Sequence, residues 1–127
     1  MQFSQSDFET IQQVKELLEK EFKYQHAQTT LARRFHINES KLRKGFVLIN
    51  KIPIYEYIVR IRIEKAKELL ACTDKPVKMV ACQVGYHLKS LEKQFRKLVG
   101  MSPLEWRKIY TDRMLMQVKQ KPERSIV

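Results

Sequence analysis

Three observations predict an all-α fold of seven helices, arranged as a double helix-turn-helix joined by a long linker helix. Only 3 Gly and 4 Pro punctuate the 127 residues, and 43% are apolar, enough for a core. Apolar residues recur every three to four positions along most of the chain, the period of a helix that buries one face. The chain also matches itself, without a gap, at an offset of 49 residues.

The elements follow in order. Ser6-x-x-Glu9 reads as a capping box, each side chain satisfying a free N–H at the start of helix 1. Phe8, Ile11, Val14, Leu18 and Phe22 make its apolar stripe, and the polar stretch from Lys23 to Gln28 ends it. Helix 2 starts at Thr29 or Thr30, both usable caps, buries Leu31, Ala32 and Phe35, and is cut short by His36-Ile37-Asn38. Asn38 caps helix 3, and Glu39 suits the positive end of its dipole. Leu42, Phe46 and Ile49 point inward there, while Ser40, Lys41, Arg43 and Lys44 lie on the outer face. A short helix, a tight turn and a second helix with a basic outer face make a helix-turn-helix.

Helix 4 runs from about Ile54 to Ala71, roughly 27 Å at 1.5 Å per residue. Its apolar positions are Ile54, Tyr57, Ile58, Ile61, Ala66, Leu69 and Leu70. Pro76 or Val77 opens helix 5, which buries Val77, Val80, Ala81 and Val84 and stops at Gly85. Helix 6 spans His87 or Leu88 to Val99, buries Leu91, Phe95 and Leu98, and has no Ser or Asn to cap it. Ser102 caps helix 7, with Pro103 in its first turn. Residues 1–52 thus form a first helix-turn-helix unit, 53–71 the linker helix, 72–113 a second unit and 114–127 a flexible tail.

At the 49-residue offset Leu31 falls on Val80, Ala32 on Ala81, Leu42 on Leu91, Lys44 on Lys93, Phe46 on Phe95 and Tyr57 on Trp106. These are mostly core positions, so the chain holds two copies of one unit. Dimeric helix-turn-helix proteins set their recognition helices about 34 Å apart, one turn of DNA. One chain with two copies and a linker helix can do the same as a monomer, and need not prefer a palindrome.

The formal charge is +11 and the pI about 9.8, which admits nucleic acid, an anionic membrane or an acidic protein as partner. No apolar run exceeds four residues, as at Phe46 to Ile49, far too short to span a bilayer, and the first residues lack a signal-peptide layout. A cytoplasmic protein is expected. Cys72 and Cys82 have no zinc-site spacing and read as small buried side chains, and Met79, Met101 and the aromatic Phe46, Phe95 and Trp106 read as core. No phosphate loop, Ser-His-Asp set or His-Glu-x-x-His occurs, so no enzyme, cofactor or metal is expected. The alternative is a basic helical adaptor for an acidic protein or anionic surface, which would not require the repeat.

Leu31-Ala32-x9-Leu42-x-Lys44-x-Phe46 and Arg60-x-Arg62-x-Glu64-Lys65-Ala66-x-x-Leu69-Leu70 resemble the AraC/XylS transcription regulators. So do Val80-Ala81-x3-Gly85-Tyr86 and Phe95-Arg96-Lys97-x-x-Gly100-Met101-Ser102-Pro103-x-x-Trp106-Arg107. The chain departs from that pattern with His36 at a turn position where Gly is common, with Lys51-Ile52-Pro53 before helix 4, and with one residue fewer between Gly85 and Phe95.

The resemblance implies a homeodomain-like double helix-turn-helix that binds double-stranded DNA through helices 3 and 6 in adjacent major grooves. It implies a bacterial transcription regulator, most often an activator, that contacts RNA polymerase. Positions matching the family's base-reading face are Ser40, Arg43 and Lys44 with Lys41 beside them, then Lys89, Ser90 and Lys93. Arg43 can bond guanine O6 and N7 together, and Glu92 can accept from a cytosine amino group. Arg96, Lys97 and the helix start at Thr29 are expected on phosphate. Arg62 is divided between DNA and a carboxylate partner, and His87 is expected to be a solvated cap. No small-molecule effector is expected within this chain, which is either a stand-alone short member or a piece of a longer protein.

Overall fold

The structure, a computed structural model, describes residues 2–120, with side chains as far as Arg113. They form seven helices: α1 (Gln5–Lys20), α2 (Gln28–Arg34), α3 (Glu39–Asn50), α4 (Ile54–Cys72), α5 (Val77–Gln83), α6 (Leu88–Val99) and α7 (Pro103–Gln120). No strand occurs among the described residues. The chain divides into two compact units, one ending at Arg62 and one starting at Ile63. The division falls inside α4, which therefore serves as the last helix of one unit and the first of the next.

In the first unit α1 and α2 both pack on α3. Ile11, Val14 and Leu18 of α1 meet Leu31, Ala32, Leu42 and Phe46, and Ile52, Ile54 and Ile58 complete the core. Fully burying side chains of this size contributes about 1.5–3 kcal/mol each. The helix start differs from the Ser6/Glu9 expectation. Ser4 is the cap: its Oγ accepts from the Asp7 N–H (3.1 Å), and Asp7 Oδ2 accepts from the Ser4 N–H (2.9 Å). Starting there sets Phe3 and Phe8 on either side of the cap with ring centroids 5.9 Å apart, a hydrophobic staple that a start at Ser6 would lose.

α2 also begins earlier than expected. Ala27 is its cap residue, with no side-chain hydrogen bond, so Thr29 and Thr30 stand in the first turn rather than capping it. The Ala27 carbonyl accepts from Leu31 N–H at 3.0 Å, which fixes a start that buries Leu31 and Ala32. Asn38 caps α3 as expected, accepting from Lys41 N–H. Gly45 of α3 faces α1, and a Cβ there would collide with Ile11 and lie 2.9 Å from the Phe3 ring.

The repeat survives folding in detail. α2 and α5, and α3 and α6, begin and end 49 residues apart, as do the starts of α4 and α7. His36 (φ 54°) and Lys51 (φ 63°) occupy left-handed conformations where the second copy has Gly85 (φ 90°) and Gly100 (φ 86°). Phe46 meets Tyr57 edge-on at 5.6 Å, and Phe95 meets Trp106 edge-on at 6.3 Å. Lys15 lies over the Tyr57 ring at 5.9 Å and Lys67 over Trp106 at 4.9 Å. Burial pushes the Tyr57 hydroxyl upward from its ordinary pKa, helped by the Glu19 carboxylate that accepts its proton in a 2.6 Å hydrogen bond.

An arginine clamps the turn ahead of each helix-turn-helix. Arg62, 9% exposed, donates to the carbonyls of Phe22 (2.7 Å) and Tyr24 (3.1 Å). Arg107 donates to those of Leu70 (2.9 Å) and Lys75 (2.6 Å). Arg62 is thus held within the first unit by carbonyl oxygens across that turn.

Several expected core positions lie outside it. Ile49 is 39% and Leu98 46% exposed, because the inward stripe steps by four from Leu42 to Phe46 to Asn50, and from Leu91 to Phe95 to Val99. On α4 the buried set is Ile54, Ile58, Val59, Arg62, Ile63, Ala66 and Leu70, while Tyr57, Ile61 and Leu69 are half-buried. Neighbouring buried pairs such as Ile58 and Val59 give α4 a buried surface wider than one narrow stripe. Cys72, the last residue of α4, and Cys82, on the side of α5 opposite the buried Val80 and Ala81, are free and exposed rather than buried. Met79 on that same outer side is 48% exposed. α7 continues to Gln120, through the first part of the expected tail, and 121–127 lie outside the described residues.

Candidate nucleic-acid interface

Each recognition helix is aimed by the turn before it. The left-handed residue at 36 or 85 reverses the chain within a few residues. The amide beyond it then returns to the first helix, Ile37 N–H to the Ala32 carbonyl at 3.0 Å and Tyr86 N–H to that of Ala81 at 2.8 Å. Leu42 and Phe46, or Leu91 and Phe95, are fully buried and lock the helix rotation. The opposite face then has to point to solvent.

On α3 that face carries exposed Arg43 and Lys44, with Ser40 half-buried at the helix start. Lys41 is half-buried too, and its ammonium is 3.1 Å from Asp7 Oδ2. The Ser4 N–H and then Lys41 hold the Asp7 carboxyl below its ordinary pKa. On α6 Lys89, Ser90, Glu92, Lys93, Arg96 and Lys97 are all exposed. Thr29 is exposed in the first turn of α2, a helix of only 7 residues. Apart from Thr29 on α2, the expected residues therefore gather on two helices, α3 in one unit and α6 in the other.

In the second unit the face borders a groove of about 580 Å³ between the starts of α5 and α7 and the flank of α6. Four cations line it, Lys78, Lys89, Lys93 and Arg96, with Glu92 as its acid. Lys78 was missed from sequence, although it stands 49 residues after Thr29 and the repeat pointed to it. Arg96 also lies 3.7 Å from Glu105, an exposed pair of little stabilising value. Glu105 completes the α7 capping box. The Ser102 hydroxyl, accepting from the Glu105 N–H at 3.1 Å, and the Ser102 N–H, donating to its carboxylate at 3.3 Å, belong to that box. They hold its carboxyl below the usual value, with Arg96 adding to the effect.

The two faces are not chemical copies. Val47 (38% exposed) and Leu48 (52%) stand where the second unit has Arg96 and Lys97. Arg43 stands where it has Glu92. The second face therefore carries more charged side chains, Lys89, Glu92, Lys93, Arg96 and Lys97 against Lys41, Arg43 and Lys44, with an acid among them.

A profile of the helix-turn-helix domain family matches residues 31–109, more than half of the chain and both turns. The chain belongs to the AraC/XylS family of helix-turn-helix proteins. Among relatives of this AraC/XylS member is the HTH-type transcriptional regulator YfiF of Bacillus subtilis (strain 168), 30% identical over 84 residues that cover 66% of this chain. The match covers only 27% of YfiF, so the chain corresponds to about a quarter of that relative's length.

In fold the chain is similar to the DNA-binding domain of AdpA, a global transcriptional factor crystallised with a target DNA. The TM-score is 0.77 at 24% identity, covering 82% of this chain and 95% of that one. It is also similar to a probable AraC family regulator from Rhodopseudomonas palustris CGA009, with TM-score 0.69 and 21% identity over 80% of this chain and 97% of that one. The family and fold are those of DNA-binding transcription regulators, which are not enzymes. Among the described residues of this AraC/XylS chain no helix is long and apolar enough to cross a membrane, and no three His, Cys, Asp or Glu are grouped to hold a metal ion.

Proposed function

We propose that this chain is the DNA-binding part of a bacterial, cytoplasmic transcription regulator. It binds a non-palindromic double-stranded site through α3 and α6 in adjacent major grooves and activates transcription through contact with RNA polymerase. The observation that carries this is the structural repeat. Two helix-turn-helix units, identical in helix boundaries, each turn a recognition helix outward with a lysine at the same place, Lys44 and Lys93.

In this reading Ser40, Arg43, Lys44, Lys89, Ser90 and Lys93 face base edges, while Lys41 sits at their border. Thr29, Lys78, Arg96 and Lys97 hold phosphates, fixing register without reading sequence. In this role the chain carries out no reaction and takes no cofactor or small-molecule effector. Selection of sites from random duplexes tests it. A motif of two unlike blocks about one helical turn apart is expected, with affinity falling steeply as salt rises. Absence of any enriched motif, or equal binding of an acidic protein and duplex, overturns it.

A further inference from the structure

Glu92 is the one carboxylate on a helix face whose other charged residues are Lys89, Lys93, Arg96 and Lys97. The ordinary fate of such an acid is a pair with a cation one turn away, here Lys89 or Arg96. The structure shows otherwise. Arg96 turns to Glu105 at 3.7 Å, and among the described residues Glu92 takes no ion pair or hydrogen bond of its own. It is exposed on the wall of the cationic groove with its acceptor oxygens uncommitted.

On a surface that only grips phosphate, an unpaired carboxylate is a pure cost, because it repels the backbone the neighbouring lysines attract. In the major groove one kind of group offsets that cost, an amino donor on a base edge. Glu and Asp there accept from cytosine N4.

The position matters as much as the charge. Glu92 follows the fully buried Leu91 and precedes Phe95 by three residues, as Arg43 follows Leu42 and precedes Phe46. The helices that carry them begin and end at equivalent residues, so the two side chains leave equivalent points of equivalent elements. Arg43 is likewise exposed and in no ion pair among the described residues. It offers only donors, suited to guanine O6 and N7, where Glu92 offers only acceptors.

We propose that Glu92 is a specificity-determining residue that selects cytosine at the place where Arg43, its counterpart in the first unit, selects guanine. This rests on the DNA-binding reading above and deepens it. The two blocks of the site then differ by a guanine-for-cytosine exchange at equivalent positions, so a direct repeat of identical blocks is a poor site.

The test is selection from random duplexes with the full chain and with Glu92→Arg and Glu92→Ala, followed by titration of the selected site and of random duplex. The unmodified chain should enrich two blocks with cytosine at one position of the second. Glu92→Arg should change that cytosine to guanine and leave the first block as it was. Glu92→Ala should lose the preference, bind the selected site roughly tenfold or more weakly, and bind random duplex more tightly. If the unmodified chain enriches two blocks but Glu92→Arg alters no base preference, Glu92 is a plain surface acid and the inference falls while the DNA-binding reading stands. If no motif is enriched at all, both fall.

Discussion

The Lys41 ammonium on the recognition helix lies 3.1 Å from the carboxylate of Asp7, which at the same time caps α1. One carboxylate therefore fixes the start of α1 and ties it to α3. Lys41 sits at the edge of the face proposed to read bases, but Asp7 already holds it, so in that reading a phosphate or base must compete with Asp7 for it.

That competition sets the first expectation. Lys41→Ala should weaken DNA binding modestly and leave base preference unchanged. Asp7→Asn, which frees the ammonium, should tighten binding to random duplex and raise the salt slope by about one. Fluorescence titration across a salt series measures both. A shift in base preference with Lys41→Ala would instead place that side chain on a base.

Acid should loosen both units. Asp7 and Glu105 complete capping boxes, and both carboxyls are held below their ordinary values of 3.8 and 4.5. Each depressed pKa means the folded state favours the carboxylate. The stabilisation is fully present above the ordinary values and is lost as pH falls through the lower folded ones. Tm should therefore drop on acidification below about pH 4, and the double variant Asp7→Asn/Glu105→Gln should show a flatter acid limb by calorimetry.

The copies instruct each other on stability. His36 and Lys51 adopt left-handed backbone where the second copy uses glycine, a conformation that costs a side-chain-bearing residue about 1 kcal/mol or more. His36→Gly and Lys51→Gly should each stabilise the chain by up to about 1 kcal/mol. In the other direction, His87 heads α6 with no side-chain hydrogen bond where Asn38 caps α3. His87→Asn should add about 0.5–2 kcal/mol. Urea unfolding of the three variants measures these gains, and a loss at His87→Asn would mean that the imidazole does more than occupy a cap position.

The same comparison shows what the sequence could reveal. The apolar period and the 49-residue match located all seven helices, because Leu42/Leu91 and Phe46/Phe95 are core in both units. The starts of α1 and α2 were misplaced by a few residues. Ser4 and Ser6 are equally good caps locally, and only the Phe3–Phe8 staple chooses between them. The step-of-four stripe that exposes Ile49 and Leu98 depends on tertiary packing that no local period reveals. The basic face was legible as lysine and arginine spacing, but the grip of Asp7 on Lys41 joins residues 34 apart. Lys78 was legible only through the 49-residue offset from Thr29, because a lone lysine in a first turn carries no local pattern.

Gly45 is required by the close approach of α1 to α3. A methyl there would overlap Ile11 and crowd Phe3, both packed beneath the cap. In the second unit the equivalent residue is Gln94, half-buried. Gly45→Ala should therefore lower stability by about 1–3 kcal/mol through overpacking despite alanine's better helix propensity. Thermal unfolding checks this, and a Tm at or above that of the unmodified chain would show that α1 can shift to make room.

Arg43 and Lys97 should separate the two kinds of DNA contact. Arg43 projects from the first turns of its recognition helix, exposed and without an ion pair among the described residues, so its fork of donors is available to a guanine edge. Lys97 lies near the end of α6, a point charge in a cationic stretch suited to phosphate. Arg43→Ala should cost roughly 1–3 kcal/mol on the selected site, little on random duplex, and relax preference at one base pair. Lys97→Ala should weaken selected and random sequences alike and reduce the salt slope by about one. Equal losses on both sequences with Arg43→Ala would move that residue to the backbone and leave base reading in the first unit to Ser40 and Lys44.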